Sequence, residues 1–311
     1  MNIQQVQYVL AVAEFRHFET AAEKCFVTQS TLSTMISRFE DEIGIKIFDR
    51  RKKPVEISYE GAQLIEQLKV INTELSKFKE LTHEIKGEIK GELSIAVIPT
   101  IAPFLLPLFI QQFADRFPDL HIEVREQTTA EIIRSLKSRE LDIGILSTPL
   151  NEKEIEEVKL YDEPFMFYDA GNELSSNSQA DQLDMDKLCL LEEGHCMRTQ
   201  VINLCEMHKL NLHHKLNFDY KAGSIDGLLR FVRANGASTL IPYLATLDFD
   251  EKERTHLSEF IEPIPFRSVG LVVHRHFVKK AILKELEADI LKSISKVLPQ
   301  NELKGDMLMP V

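Results

Sequence analysis

The first part of the chain shows apolar residues at three- and four-residue intervals, the spacing of amphipathic helices. The pattern predicts one helix over residues 3–15 and a second, shorter helix over residues 18–25. Thr28 then stands at the N-cap position of a third helix, whose apolar stripe ends at Ile43 and is followed by Gly44 at C′. We therefore expect three short helices, with a brief turn between the second and the third.

The predicted third helix has an unusual outer face, because it lacks the Lys/Glu pairs of an ordinary solvated helix. Short hydrogen-bonding side chains and one cation occupy this face: Gln29, Ser30, Thr31, Ser33, Thr34, Ser37 and Arg38. A positively charged segment follows and ends at Pro54; it contains Arg50, Arg51, Lys52 and Lys53. Two short extended pieces around this segment would form a basic wing.

Residues 58–86 predict one long helix, since they contain no proline and no interior turn signal beyond Gly61. Apolar residues recur in it at about 3.5-residue spacing: Ile65, Leu68, Ile71, Leu75, Phe78, Leu81 and Ile85. Such a helix runs roughly 40 Å and is too long and one-sided for a domain core. We expect its stripe to pack against a second copy, giving a homodimer.

Beyond residue 91 the pattern changes to short apolar runs that alternate with helices. Strands are predicted over 93–98, 120–125 and 141–146, and helices over 102–117 and 130–138. Such units require right-handed crossovers and favour a mainly parallel sheet. Residues 165–264 repeat a shorter α/β pattern, and a strand over 269–273 with a helix over 278–297 follows.

This order predicts an α/β protein in three parts. A winged helix-turn-helix is expected over residues 1–58, a linker helix over 59–90 and a regulatory region over 91–311. The regulatory region would have a first lobe, about 91–164 and 266–311, and a second lobe, about 165–265. The strand ends of the two lobes would face a ligand in the cleft between them.

Composition places the chain among globular proteins, with 44% apolar and 28% charged residues. The longest apolar stretch, 101–110, carries Pro103 and Pro107, and no secretory leader is recognisable, so we expect a cytoplasmic protein without a membrane segment. The formal net charge is −12, but residues 1–90 hold 13 of the 37 basic and 14 of the 49 acidic residues. The acidity therefore lies in the later part of the chain.

A winged helix-turn-helix places its third helix in the major groove of double-stranded DNA. Gln29 could form two hydrogen bonds with adenine, and Arg38 could reach guanine or a phosphate. The candidate set also includes hydroxyl groups and wing cations: Thr28, Ser30, Thr31, Ser33, Thr34, Arg50 and Arg51. A polar helix surface in an ordinary bundle is the alternative interpretation.

The residues of this module closely resemble those of LysR-type transcriptional regulators. The resemblance rests on Ala21-Ala22, Val27-Thr28-Gln29-Ser30-Thr31-Leu32-Ser33, Ile36, Phe39-Glu40, Ile43-Gly44, Ile47-Phe48 and Arg50. Ser30 departs from the family, which most often has proline there. The resemblance covers essentially the whole chain and implies dimers that pair into tetramers on an operator. It also implies a regulatory region similar to periplasmic binding proteins that senses an effector.

Four cysteines are too few for a disulfide scaffold, and Cys25 and Cys189 lie in apolar contexts typical of packed thiols. Cys196 instead stands where a predicted helix begins. His195 precedes it and Arg198 follows two residues later. The positive potential of this setting favours the thiolate, as expected for a reactive cysteine.

Cys205 follows Cys196 by nine residues in the same predicted helix. Nine helical residues separate two Cα atoms by roughly 13 Å, whereas a disulfide requires about 7 Å or less. A bond between the two would require the helix to unwind, which would make the pair a conformational switch. Two unrelated thiols, one packed and one exposed, are the alternative.

The segment from Leu190 to Arg198, with Cys205 beyond it, is similar to the redox segment of the peroxide-sensing members of the LysR family. This implies that hydrogen peroxide oxidises Cys196 and that Cys205 resolves the product. A cellular thiol reductant such as glutaredoxin or thioredoxin would reverse the reaction. The resemblance also implies that the hydroxyls of Thr100 and Thr128 line the peroxide pocket, although helix N-capping explains either threonine alone.

The chain departs from that branch at Thr199, Asp219 and Tyr220, where an acidic residue, a histidine and a phenylalanine are expected. These differences concern the transfer of protons to the leaving water. A metal site of Cys196, Cys205 and His208, with His213 and His214 nearby, would fit no closed tetrahedral spacing, so we expect no metal and no other cofactor.

Two other functions remain open at this point. A regulator of the same family could bind a metabolite in the cleft, with the cysteines incidental. A thiol peroxidase would turn over peroxide with a reductant, but it would leave the first 90 residues without a purpose. No other catalytic motif stands out, so we do not expect an enzyme.

Overall fold

The computed structural model describes residues 2–174, 177–178, 187–192, 194–207, 220–299 and 303–310. The chain divides into two compact units, Met1–Lys86 and Gly87–Val311. No helix within the described ranges is long and apolar enough to cross a lipid bilayer.

Three helices begin the N-terminal unit, as predicted: α1 (Ile3–Phe15), α2 (Phe18–Lys24) and α3 (Gln29–Ile43). The Thr28 hydroxyl accepts a hydrogen bond from the Thr31 amide at 3.2 Å, and Gly44 ends α3 with a φ of 73°. Both ends of α3 are thus fixed by the expected residues. The strands β1 (Phe48–Asp49) and β2 (Glu56–Ile57) pair antiparallel and form the wing.

The long helix α4 (Tyr59–Ile85) also follows the prediction. The assignment of its whole apolar stripe to a partner is wrong at two positions, because Ile65 and Leu68 are buried in the hydrophobic cluster of their own unit. Phe78 and Ile85 are 65% and 76% exposed. Only the later part of the stripe is therefore open to a second copy.

The second unit contains the predicted parallel strands β3 (Gly91–Val97), β4 (Leu120–Glu126) and β5 (Ile143–Thr148), in the spatial order β4-β3-β5. The crossover helices are α5 (Ala102–Arg116) and α6 (Thr129–Lys137), and α10 (Lys280–Ile294) packs against α5. The sheet is not mainly parallel beyond these strands. β6 (Ile155–Asp169) and β12 (Phe266–His274) pair antiparallel with each other, and β12 pairs antiparallel with β5.

The strand β6 belongs to both lobes of this unit. Its residues 155–164 pair with β12, whereas 165–169 pair with β10 (Ser238–Pro242) and β11 (Leu257–Phe260). Two separate hydrophobic clusters correspond to the two lobes, the first around β3, β5 and β12 and the second around the end of β6 and β10. The lobes are therefore joined by continuous strand structure.

The second lobe also contains β7 (Asn177–Ser178), β8 (Leu190–Leu191), α7 (Cys196–Met207), β9 (Lys221–Ala222), α8 (Ile225–Asn235) and α9 (Glu251–Arg254). β8 pairs parallel with β9, and β7 pairs parallel with β11. The helix α7 is the one predicted from the cysteine segment, and it packs against β8.

Residues 303–310 run beside the start of β12, and we call them the C-terminal strap. The Phe266 amide donates to the Asp306 carbonyl at 3.1 Å, and the Leu308 amide donates to the Phe266 carbonyl at 2.8 Å. Leu308 is buried in the second lobe, and its carbonyl accepts a hydrogen bond at 2.8 Å from Nε2 of the buried Gln200 in α7. The strap thus ties α7 to the beginning of β12.

Replacing Gly305 by alanine is expected to loosen the strap. A Cβ there would overlap the backbone of Ile264, including its carbonyl oxygen, and backbone atoms cannot move aside as a flexible side chain can. We expect Gly305→Ala to lower the free energy of unfolding by about 1–3 kcal/mol, measured by urea denaturation. Gly223→Ala is the control, because its Cβ would meet only the Glu192 carboxylate, at 3.1 Å. Equal denaturation midpoints in the two variants would contradict this expectation.

Candidate functional site

The outer face of α3 carries several of the candidate DNA-binding residues. Ser30, Thr34 and Arg38 recur at four-residue intervals and are exposed, so they lie along one side of the helix. Gln29 is exposed at the first position of α3. Arg38 makes no hydrogen bond or ion pair within the described ranges, which leaves its guanidinium available to an outside group.

Several candidates on this face also make hydrogen bonds within the protein, among them Thr34, whose hydroxyl donates to the Ser30 carbonyl at 2.8 Å. Oγ1 of Thr28 lies 2.8 Å from Oγ1 of Thr31 at the N-cap. Ser33 Oγ accepts a hydrogen bond from Nη1 of Arg50 at 2.9 Å. Nη2 of the same guanidinium lies 3.2 Å from Oε2 of Glu40, so Arg50 links the wing to α3.

Glu40 is a buried carboxylate on α3 that sequence reasoning missed. Its Oε1 accepts the amide hydrogens of Ile47 and Phe48 at 2.8 and 3.1 Å, while Oε2 binds Arg50. These charge-assisted hydrogen bonds fix the start of the wing to α3. The available signal was an acidic residue on the apolar side of the helix, next to Phe39.

The wing is less positive than its sequence suggests. Arg51 donates to Oδ1 and Oδ2 of Asp49 at 3.0 and 2.9 Å, and Lys52 pairs with Glu56 at 2.6 Å. The hydrogen bonds from Arg51 lower the pKa of Asp49 to about 2, so this carboxylate is charged at neutral pH. Arg51 would have to leave Asp49 before it could bind a phosphate with the same donors.

In the second unit, α7 places two thiols in two different hydrophobic cores. Cys196 begins the helix, as predicted, and follows Gly194, whose φ of 97° favours glycine. Cys196 is 7% exposed and belongs to the cluster of the first lobe, where its Sγ lies 3.8 Å from Oγ of the buried Ser147 at the end of β5. Cys205 is 1% exposed and belongs to the cluster of the second lobe.

The two candidate cations near Cys196 are held by other groups. Arg198 Nη1 donates to the Leu191 carbonyl at 3.0 Å, which connects the start of α7 to β8. His195 Nε2 lies 3.9 Å from Oε1 of Glu192. Within the described ranges, neither side chain forms a hydrogen bond with the Cys196 sulfur.

No disulfide joins the described cysteines. Cys189 is buried in the second lobe and Cys25 is half-buried in the N-terminal unit. Burial raises the pKa of both of these thiols, which favours the neutral form. Their surroundings match the expectation of packed cysteines.

Thr100 is held by a buried ion pair at the carboxyl end of β3. Its Oγ1 accepts a hydrogen bond from Arg267 Nη1, and its carbonyl accepts one from Nη2, both at 3.0 Å. Arg267 contacts Oε2 of Glu163 through Nε at 2.9 Å and Nη2 at 2.8 Å, and Glu163 Oε1 accepts from the Leu244 amide. This arrangement leaves the hydroxyl hydrogen of Thr100 able to donate to a ligand.

Thr128 caps α6, which is the alternative role considered for it. Its hydroxyl donates to Glu131 Oε2 at 2.8 Å, and the Thr128 amide helps to lower the pKa of Glu131 by donating to the same carboxylate. The adjacent Thr129 Oγ1 and Gln127 Oε1 are buried without a hydrogen-bond partner in the described part of the chain. Both residues follow the carboxyl end of β4, and Thr100 and Ser147 lie at the carboxyl ends of β3 and β5 at the same edge of the sheet. Thr129 is therefore a better candidate than Thr128 for a hydroxyl that binds a ligand.

Sequence reasoning missed Ser147, Arg267 and Glu163. Ser147 is the next-to-last residue of the parallel strand β5 in the first lobe, so the rule that indicated Thr100 applies to it equally. Arg267 is a charged residue inside the buried strand β12, which is a signal of a buried partner. That partner lies 104 positions earlier in the chain, beyond the reach of any local pattern.

Some of the remaining predictions concern residues that lie outside the described ranges, namely Asp219, His208, His213 and His214. Thr199 is exposed on α7, and Tyr220 stacks on Phe231 with ring centroids 4.1 Å apart. Among the residues the structure describes, no group of three or more His, Cys, Asp or Glu side chains is placed to hold a metal ion.

Comparison with known families gives two matches that together cover most of the chain. Residues 3–62 match the bacterial regulatory helix-turn-helix protein family of LysR type, and residues 86–287 match the LysR substrate binding domain. The chain is 32% identical over 275 residues to the DNA-binding transcriptional dual regulator OxyR of Escherichia coli, covering 88% of this chain and 89% of that protein. It is 30% identical over 277 residues to the hydrogen peroxide-inducible genes activator of Haemophilus influenzae, covering 88% and 90%.

Solved structures agree with this relationship. A full-length OxyR variant from Pseudomonas aeruginosa superimposes with a TM-score of 0.69 and 27% identity, covering 94% of this chain and 98% of that one. OxyR from Porphyromonas gingivalis gives a TM-score of 0.62 and 28% identity, covering 70% of this chain and all of that one. These relatives are transcription regulators and not enzymes, and the fold is the expected helix-turn-helix with a two-lobed α/β regulatory region. The chain therefore belongs to the LysR family of bacterial transcription regulators and is similar to its OxyR members.

Proposed function

We propose that this chain is a DNA-binding regulator that senses hydrogen peroxide through Cys196 and Cys205. The observation that carries the proposal is that one helix holds both thiols but buries them in different hydrophobic cores. Relatives named as hydrogen peroxide-inducible activators support the choice of oxidant.

The proposed reaction has two steps. The Cys196 sulfur attacks one oxygen of hydrogen peroxide, the O–O bond breaks, and water leaves, which gives a sulfenic acid. The Cys205 thiol then attacks the oxidised sulfur, a second water leaves, and a disulfide forms. Thr100 and Thr129 supply hydroxyls that bind the peroxide, and Thr128 contributes by capping the start of α6.

The disulfide requires a change of structure, because the two Cα atoms stand roughly 13 Å apart along an intact helix. α7 must unwind, and at least one of the two thiols must leave its core. Gln200 lies in the same helix, so its hydrogen bond to the strap would be strained or lost. Oxidation would thereby alter the arrangement of the two lobes and, in a dimer, the spacing of the recognition helices.

For DNA binding, we propose that α3 enters the major groove. Gln29 and Arg38 would contact base edges or phosphates, and the hydroxyls of Ser30, Thr31 and Thr34 would complete the contacts. Arg50, held by Glu40, would position α3 relative to the wing. The exposed later part of α4 would form the homodimer, and two dimers would bind one operator as a tetramer in the cytoplasm, where thioredoxin or glutaredoxin can reduce the disulfide.

Mass spectrometry after peroxide treatment tests this function. We expect a peptide pair linked through Cys196 and Cys205 that disappears after reduction with a thiol. Formation of this pair at low peroxide, while Cys25 and Cys189 remain alkylatable, would support the proposal. A purified chain that never forms the pair would contradict it and would favour a LysR regulator with a small-molecule effector in the cleft.

Two substitutions on α3 should separate base recognition from phosphate binding. Gln29→Ala is expected to weaken operator binding by about 1–3 kcal/mol and to relax the sequence preference at one base pair, because a bidentate contact is lost. Arg38→Ala is expected, if it binds only phosphate, to weaken binding to all sequences and to reduce the salt slope by about 1. Titrations of operator and scrambled DNA at several salt concentrations distinguish the two. Identical effects on both DNAs from Gln29→Ala would argue against its role in base recognition.

A further inference from the structure

Cys196 forms one side-chain hydrogen bond within the described ranges, and its partner is Ser147. Sγ and Oγ lie 3.8 Å apart, within the range of a long hydrogen bond that involves sulfur, and both atoms are buried. Ser147 is 0% exposed and is the fifth residue of β5, whose alternation places it on the same face as Ile143 and Ile145. The sheet therefore fixes the backbone and Cβ of Ser147, and rotation about its Cβ–Oγ bond directs the hydroxyl hydrogen.

The charged side chains next to Cys196 in the sequence, and the buried ion pair that holds Thr100, have other partners. On the helix and its entry, Arg198 donates to the Leu191 carbonyl and His195 faces Glu192. On β12 and β6, Arg267 and Glu163 bind each other, and Arg267 also binds Thr100. Among the described residues, Ser147 is thus the polar side chain that is hydrogen-bonded to the Cys196 sulfur.

We propose that Ser147 is a catalytic residue for the reaction of Cys196 with peroxide; this inference rests on the function proposed above. In the resting thiol, the S–H group donates to Ser147 Oγ. When Cys196 loses its proton to water, the Ser147 hydroxyl rotates and donates to the thiolate, because a hydroxyl both accepts and donates. A hydrogen bond to an ionised group in a buried site is stronger than one between neutral groups, so this contact stabilises the nucleophile.

The same contact orients the sulfur during the oxidation. The thiolate lone pair attacks the near oxygen of hydrogen peroxide, the O–O bond breaks, and the far oxygen leaves as hydroxide, which becomes water by taking up the proton that Cys196 had released to the solvent. Cys196 becomes a sulfenic acid and the peroxide is reduced to water. Ser147 keeps its own proton throughout, and the sulfur leaves it only when α7 unwinds to form the disulfide.

The test uses the full chain with Cys205→Ser, so that the reaction stops at the first step. The rates of Cys196 alkylation by iodoacetamide and of oxidation by hydrogen peroxide are measured over a series of pH values. Ser147→Ala is expected to slow both reactions at neutral pH by about tenfold, since a hydrogen bond to a charged group is lost. The midpoint of the alkylation profile should move to higher pH. Ser147→Thr, which keeps the hydroxyl, should retain most of the rate.

Ser238→Ala is the matched control, because Ser238 is 2% exposed and its hydroxyl has no hydrogen-bond partner among the described residues. Unchanged rates and midpoint in Ser147→Ala, or equal slowing in Ser238→Ala, would overturn the proposal. Failure of the parent chain to react with peroxide would remove the proposed function instead, while the alkylation profile would still decide the role of Ser147.

Discussion

The Cys196→Ser variant is expected to give the same DNase footprint with and without peroxide, whereas the parent chain should give two different footprints. Serine cannot form a sulfenic acid, so no disulfide can form and α7 is not expected to unwind. The thiol belongs to the second compact unit and α3 belongs to the first, so the affinity of the variant for operator DNA should remain close to that of the reduced parent chain. The expected effect is therefore the loss of the whole oxidant response.

Cys189→Ser is the matched control for this experiment, because Cys189 is buried in the same lobe as Cys205 and burial raises its pKa. This variant should keep the response to peroxide. A peroxide-dependent footprint that survives in Cys196→Ser would show that another group senses the oxidant. A response lost equally in Cys189→Ser would show that α7 is sensitive to any change in its core.

Replacing Arg267 by methionine should have the largest effect on stability. Among the described residues, the substitution leaves the fully buried Glu163 with the Leu244 amide as its remaining partner, and it removes both donors to Thr100. Breaking one side of a buried ion pair costs about 3–5 kcal/mol of unfolding free energy. Urea denaturation of the reduced protein measures this loss. The rate of Cys196 oxidation by peroxide should also fall, because Thr100 no longer has a fixed position.

Two further variants give this prediction its controls. Arg116→Met breaks ion pairs with Glu285 and Asp289 at a guanidinium that is 41% exposed, and it should cost only about 0–1 kcal/mol. Combining Arg267→Met with Glu163→Leu should recover much of the loss, because no unpaired charge then remains in the core. Equal losses in Arg267→Met and Arg116→Met would mean that the buried pair contributes little.

Local patterns were sufficient for the N-terminal unit and for the parallel strands of the first lobe. Helical periodicity, the Thr28 cap and Gly44 act within a few residues, so α3 could be predicted nearly to its ends. The antiparallel pairing of β6 with β12 joins segments about a hundred residues apart, and no turn signal between them indicates it. For the same reason, the sequence did not indicate that Ile65 and Leu68 pack against their own unit, because the apolar stripe continues unchanged to Ile85.

In the candidate site, too, local features could be predicted from the sequence, whereas contacts between distant segments could not. Cys196 was singled out by its place at the start of α7 and Cys205 by its spacing, both local features, whereas their roles in peroxide sensing were implied by the resemblance of the segment to relatives. Ser147 and Arg267 were missed because a polar residue in an apolar strand reveals its partner only after the chain has folded. Thr128 and Thr129 are neighbours with similar propensities, and only the capping bonds of Thr128 distinguish them.

The strand β6 also determines how this regulator could be combined with others. A chimera that exchanged only the second lobe would appear to have its junction near residue 164, but a cut there divides one strand whose two halves pair with different neighbours. Grafts made after Asp169 and before Leu257 would keep β6 whole and transfer only the intervening segment. Sensor modules of this architecture should therefore be exchangeable as inserts between intact strands, and poorly exchangeable as separate lobes.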